Sequence, residues 1–277
     1  MKDIVVLYHA GCHDGFGGAW VAWNKFKNKA DYIPVEHGKA VPEGLVGRDL
    51  YLIDFCYQEE IMHALLENNK KVVVLDHHVS QREIVGISTE HVFDNERSGS
   101  MIAWQYFFPN KPAPKLLKHI QDIDLWQFKI AHTKELMAAT DEYPFEFKLW
   151  NKLAAEFEDK EAIKKYLGAG KAVVAYGDRI IERLVHHAEK VLIDGRTAYA
   201  VNSPILESEI GNWIVKHKKA IGIIWSYKSG MVKVSLRSDG KTDVSMIAQA
   251  HGGGGHKAAA GFAFDVQLEF PWTKALK

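Results

Sequence analysis

Cysteine is nearly absent: Cys12 and Cys56 are the only two in 277 residues. Two thiols cannot build a disulfide framework, and such a chain suits a reducing compartment. Basic charge is not in excess either. Lys plus Arg number 35 and Asp plus Glu number 35, so the formal net charge is zero with neutral histidine. Proteins that hold long nucleic acid by neutralising phosphates usually carry a basic surplus. No long duplex partner is therefore expected, and a small or short phosphorylated substrate is favoured. Long apolar runs are missing as well, since no stretch approaches the roughly 20 residues that cross a bilayer. The first apolar run, Ile4 to Leu7, is too short for a signal peptide and leads straight into polar residues. The expected location is the cytoplasm, with no membrane partner.

What remains is a globular composition, 47% hydrophobic and 25% charged, long enough for two domains or one large one. The stretch that organises it is KKVVVLDHHVS, residues 70 to 80. Val72 to Leu75 form an unbroken apolar run, the pattern of a strand buried on both faces of a parallel sheet. Asp76, His77 and His78 then fall at its C-terminal end, where open α/β sheets place their ligands. Two other runs end alike. Ile4 to Leu7 delivers His9, Cys12, His13 and Asp14, and Leu50 to Ile53 delivers Asp54. If these strands are parallel neighbours, the polar groups converge on one sheet edge. Crowded carboxylates repel unless a cation joins them, so a metal site is favoured over a set of solvated caps. Mixed Asp and His donors suit Mn²⁺, Mg²⁺ or Zn²⁺.

Strand and helix alternate through residue 80, which predicts a doubly wound α/β domain. GFGGAWVAWNKF reads as a helix after a glycine-rich turn, with Trp20 and Trp23 packed in the core. DYIPVEHG reads as a short strand and YQEEIMHALLENN as an amphipathic helix. In NERSGS, Ser98 and Ser100 are candidate caps for a helix from about Met101 to Phe108. The helix in APKLLKHIQDIDLWQF ends in Asp122 and Asp124, one of which is placed to complete a metal shell. From Glu146 to Lys190 the chain reads as mostly helix, broken at GAGKAV, and His186 and His187 point to different faces. The expected division is a catalytic domain over 1–155, a helical linker over 156–190 and a smaller α/β domain with a mixed sheet over 191–277.

That last domain contains TAYAVNSP as a strand, ESEIGNWIVKHK as a helix, and a hairpin turning at Lys228, Ser229 and Gly230. A short helix around Asp243 to Ala250 meets HGGGGHKAAAGF. Packing gives no evident reason for Gly252 to Gly255, because consecutive glycines cost entropy in an ordered state. An anion cradle of backbone amides does, with Gly253, Gly254, Gly255 and His256 donating. Arg237 and Ser238, at a strand end, are candidate phosphate or sugar contacts.

These motifs resemble the DHH phosphoesterase superfamily, specifically members with the DHH-associated C-terminal substrate domain. Asp76, His77 and His78 match its named triplet; GGGGHKAAAG, preceded by SLRS at Ser235 to Ser238, is similar to the associated domain. The resemblance implies a hydrolase of phosphoester bonds with two divalent cations, usually Mn²⁺, with Mg²⁺ or Zn²⁺ as substitutes. It implies metal ligation by His9, Asp14, Asp54, His77 and Asp122, with Asp124 as the competitor of Asp122. Asp54 would bridge the ions, His78 would contact the scissile phosphate and Asp76 would orient the imidazoles. The family commonly has two aspartates one residue apart in its first motif, and here the first is Cys12. A thiolate ligand, replacement by His13, or a weaker first shell are the alternatives, and a softer donor shifts preference toward Zn²⁺. The expected substrate is a short oligonucleotide or a small nucleotide phosphoester. Hydrolysis of polyphosphate or pyrophosphate and a silent nucleotide-binding module are the competing readings, and a homodimer is left open.

Overall fold

The computed structural model describes residues 1–36 and 38–275; His37, within the expected strand DYIPVEHG, lies outside them, as do Leu276 and Lys277. The chain divides into two compact units, Met1–Val174 and Ala175–Lys277. Among the described residues, no helix is long and apolar enough to cross a membrane.

The first unit runs β1 (Ile4–His9), α1 (His13–Phe26), β2 (Ala30–Val35), β3 (Asp49–Ile53), α2 (Glu59–Asn68), β4 (Lys71–Asp76), α3 (Arg82–Val85) and β5 (Glu90–Phe93). Helices α4 (Gly99–Phe107), α5 (Lys115–Asp124), α6 (Thr133–Thr140) and α7 (Phe147–Glu158) come next, and α8 (Ile163–His186) begins in this unit and ends in the second. The five strands pair in parallel in the order β2-β1-β3-β4-β5. Val6, Tyr8, Val73 and Leu75 face a core built with α1, α4, α5, α6 and α7, while Val5, Leu7, Val72 and Val74 face a second core with Met62, Leu65 and Val85. Two buried faces explain why these strands read as continuous apolar runs. The doubly wound α/β expectation is met.

Register fixes what stands at the edge. Tyr8 pairs with Ile53 and Ile53 with Leu75, so the next residues, His9, Asp54 and Asp76, come level side by side. Chain order reverses between β1 and β3, the switch point where open sheets leave a crevice.

The second unit contains β6 (Glu189–Ile193), β7 (Arg196–Asn202), α9 (Glu207–Lys218), β8 (Ile221–Lys228), β9 (Met231–Arg237), α10 (Val244–Ala250), β10 (Gly254–His256), β11 (Ala259–Asp265) and β12 (Thr273–Lys274). Its mixed sheet has the order β10-β11-β9-β8-β7-β6-β12, with only β7 and β8 parallel. The hairpin after Lys228 turns as expected, through Ser229 and Gly230, both at positive φ. Strand β6 was not expected: Glu189 and Lys190 read as the end of a helix and residues 191 to 193 carried no predicted element, yet all five pair with β7 across Asp194 and Gly195.

The expected break at GAGKAV does not occur, and α8 runs through it. A Cβ on Gly170 would overlap the carbonyl oxygen of Glu135, so this glycine allows α8 to cross the backbone of α6, whereas Gly168 faces open space. We predict opposite outcomes for two alanines in one helix. Gly168→Ala should raise stability by up to about 1 kcal/mol through helix propensity, and Gly170→Ala should lower it by about 2 kcal/mol through overpacking. Urea unfolding of both variants checks the pair; equal effects would remove the packing explanation.

Candidate metal centre

Each polar group reaches the sheet edge by a local device. Cys12 caps α1, its Sγ accepting from the Gly15 amide at 3.2 Å. Gly15 and Gly18 let α1 lie against β1 and β3, because a Cβ at either would overlap the His9 carbonyl or the Ile53 side chain. Asp54, one residue beyond β3, has φ 64°, the left-handed conformation that short polar side chains tolerate. Gly99 opens α4 directly over it, and a Cβ there would lie 2.7 Å from that of Asp54.

The carboxylate of Asp14 is buried at the N-terminus of α4. It accepts from the amides of Gly99 at 2.6 Å and Ser100 at 3.0 Å, and from Ser100 Oγ at 2.6 Å. Burial and the neighbouring Asp54 and Asp124 still push its pKa well above the ordinary carboxylate value. Asp76 Oδ1 accepts from the His77 amide at 2.7 Å and meets His78 Nδ1 at 2.7 Å, which fixes that imidazole.

Asp54 stands between two sets of donors. Its Oδ2 lies 3.5 Å from His9 Nδ1 and 3.5 Å from Cys12 Sγ; its Oδ1 lies 3.2 Å from His77 Nε2. His77 Nε2 is also 3.6 Å from Asp124 Oδ2 and 3.9 Å from Asp14 Oδ2. Three groups have donor atoms within 4.8 Å of one another: His9, Cys12 and Asp54; Asp54, Asp76, His77 and His78; and Asp14, His77 and Asp124. Asp54 is common to the first two groups, and His77 to the last two.

Whether these residues fit a cation can be judged from their unmet needs. Asp54 Oδ1, Asp76 Oδ2 and His77 Nε2 are buried and complete no hydrogen bond. Left so, each carries a desolvation cost. An oxygen- and imidazole-binding cation removes it for Asp54 and His77, and the donor set suits Mn²⁺, Mg²⁺ or Zn²⁺. The residues fit.

Two expectations are corrected. Asp122 is not in the cluster. Its oxygens accept from the amides of Lys129 at 2.7 Å and Ile130 at 3.0 Å, and from Thr133 Oγ1 at 2.6 Å. Although burial works the other way, these donors hold its pKa below the ordinary value. Asp124 occupies the position beside His77 instead. His13 also points elsewhere, stacking on Trp150 with its Nε2 3.2 Å from Thr140 Oγ1, so of Cys12 and His13 it is Cys12 that stands at the centre. Burial and Asp54 push the Cys12 thiol pKa up. The role of Ser100 and Gly99 in holding Asp14 was not anticipated; the only signal was the small-residue run SGS.

In the second unit the glycine run does several jobs. The Gly252 and Gly253 amides donate to Gln249 and Ala248 carbonyls and close α10, so Gly253 is not available as an anion donor. A Cβ on Gly253 would meet Phe262, and one on Gly255, at φ 138°, would meet Ala260. Packing therefore does account for part of the run, contrary to expectation. Gly254, Gly255 and His256 form the exposed edge strand β10. Ser238 Oγ donates to the Thr242 carbonyl at 2.6 Å, a turn contact. Arg237 donates to Ser208 Oγ at 2.8 Å and the Leu236 carbonyl at 2.9 Å.

The DHHA1 domain family matches residues 212–271, the segment holding Arg237 and the glycine run. The uncharacterised protein R106 of Acanthamoeba polyphaga mimivirus is 32% identical over 94% of this chain and 67% of its own length. The chain belongs to the DHH/DHHA1 superfamily. A further relative, oligoribonuclease NrnB of Bacillus subtilis, is 25% identical over 76% of this chain and 58% of its own. The chain thus spans under two thirds of the length of NrnB. Its fold is shared with RecJ of Thermus thermophilus solved with Mn²⁺, at a TM-score of 0.59, 17% identity, and coverage of 96% of this chain and 50% of that one.

The electrostatics set a pH dependence. Burial opposes a charge on His77, but Asp54, Asp124 and Asp14 raise its pKa to about 9, while burial raises Asp124 to about 6. A metal ligand must be deprotonated, so loading expels the His77 proton below pH 9 and a second proton below pH 6. Mn²⁺ affinity should rise by about tenfold or more per pH unit from 7 to 9. Calorimetry in buffers of different ionisation enthalpy reads the protons directly; a pH-independent affinity would contradict it. In the same assay Asp124→Asn should weaken Mn²⁺ binding by about 10-fold or more, while Asp122→Asn should lower the melting temperature and leave affinity within about threefold.

Proposed function

We propose that this protein is a metal-dependent phosphoesterase that cleaves short oligonucleotides or small nucleotide phosphoesters, with two divalent cations, Mn²⁺ first among them. The observation that carries this reading is Asp54, whose two oxygens face different donor groups across the sheet edge. A carboxylate so placed is suited to bridge a pair of ions. His9, Cys12 and Asp54 would hold one; Asp14, Asp54, His77 and Asp124 would hold the other. When bound, the cations supply Lewis acidity: they lower the pKa of a water and neutralise charge on the phosphate.

The protein's own groups supply the rest. Asp76 orients His78 through Nδ1, and Asp76 and Asp54 raise the pKa of His78 despite its burial. His78 is thereby kept as a proton donor, placed to hydrogen-bond a phosphate oxygen and offset its charge as the ester breaks. Gly99 and Ser100 hold Asp14 in place, so its position costs no reorganisation during the reaction. In the second unit, Arg237 with Gly254, Gly255 and His256 would bind a phosphate or sugar group. The balanced overall charge supports a short substrate, and the oligoribonuclease relative supports nucleotides as its class.

A panel of a 5′-labelled dinucleotide, 3′-phosphoadenosine 5′-phosphate and polyphosphate, run with Mn²⁺, Mg²⁺ and Zn²⁺, tests the proposal. The nucleotide substrates should be turned over and polyphosphate should not. Asp54→Ala should lose on the order of 10³-fold in kcat. Undiminished turnover in that variant with Mn²⁺ present, or polyphosphate as the sole substrate, would overturn the assignment.

A further inference from the structure

The second unit holds two adjoining cavities that share His187. The first, about 380 Å³, is walled by Trp225, Phe270 and Trp272, with Glu189, Asn202 and His187 as its polar groups. That volume lies in the range of small-ligand sites, and the mixture of aromatic walls with a few polar groups is their usual composition. Phe270 packs edge-on between the two indoles, 5.1 Å from Trp225 and 5.0 Å from Trp272. Asn202 is anchored by its amide nitrogen, which donates to the Trp225 carbonyl at 3.0 Å. The second cavity, about 430 Å³, is lined by Arg179, Glu182, Arg183, His186 and His187 near the end of α8. Neither guanidinium pairs with a carboxylate among the described residues.

An aromatic slot beside two unpaired arginines matches one ligand class. Indole and phenyl faces take the flat surface of a nucleobase, and the arginine forks take a phosphate. The Glu189 carboxylate selects among bases, because only an edge with two adjacent N–H donors, as in guanine, satisfies both oxygens. The geometry points to a nucleotide site, specific for guanosine monophosphate units, formed by the aromatic cavity and the arginine cavity together. It lies on the β6–β8 side of the sheet, with β9 and β11 between β8 and the glycine strand β10. It is therefore separate from His256 on β10 and needs no metal.

Calorimetry on the full chain in EDTA, with GMP, AMP, UMP and ribose 5-phosphate, tests this independently of hydrolysis. GMP should bind about tenfold more tightly than ribose 5-phosphate or UMP, as stacking requires. Trp272→Leu and Trp225→Leu should each weaken GMP by about tenfold, with Trp272→Phe restoring most of it. Arg183→Ala, on an exposed helix surface where folding is not at issue, should weaken GMP by about fivefold or more. Glu189→Gln should remove the preference for GMP over AMP. Competition by a 5′-phosphorylated guanosine pentanucleotide would assign the site to chain ends, and its absence would assign it to the free mononucleotide. No GMP binding in EDTA, equal binding of ribose 5-phosphate, or indifference to both tryptophan changes would overturn the proposal. Failure of the metal-dependent activity alone would not touch it.

Discussion

Like charges brought together at the end of a sheet are the constraint on which the first unit depends. Asp14, Asp54, Asp76 and Asp124 all reach one edge, three of them buried to 2% exposure or less. Nothing in a hydrophobic core favours that arrangement. It stands because amides at the start of α4 and imidazoles at the ends of two strands offset part of the charge, and some unmet demand is left on Asp54, Asp76 and His77. The pKa directions express the same competition. Asp54, faced by His77 and His9, is held low in spite of burial, whereas Asp14 and Asp124 are driven up by burial and by Asp54.

The strand ends were legible in the sequence because parallel strands buried on both faces leave a simple trace, an apolar run that stops abruptly at polar residues. Val72 to Asp76 shows it most clearly, and the level pairing of β1, β3 and β4 turns three such traces into one cluster. Asp122 and Asp124 could not be separated this way. They sit two residues apart in α5, on different sides of the helix, and the backbone beyond the helix makes the choice between them. The chain bends back through Trp126 and Phe128, both at positive φ, and brings amides to Asp122. That bend is a tertiary event with no periodicity to announce it.

Glycines misled for a related reason. At Gly170 the residue marks a crossing of helices and no interruption. At Gly253 it marks contact with Phe262, and the amide that might have met an anion closes a helix. In both places the missing side chain serves a neighbour on another element, which local periodicity does not reveal. The same holds for β6, whose residues are too few and too exposed to show strand alternation until β7 pairs with them.

Asp54 carries two demands that come from different parts of chemistry. Its backbone, at φ 64°, admits glycine, asparagine and aspartate readily and resists most other residues. Its place between His9 and His77 asks for a carboxylate, which aspartate and glutamate possess. Only one of the twenty amino acids satisfies both lists. At the middle of this crevice the genetic alphabet offers a single letter.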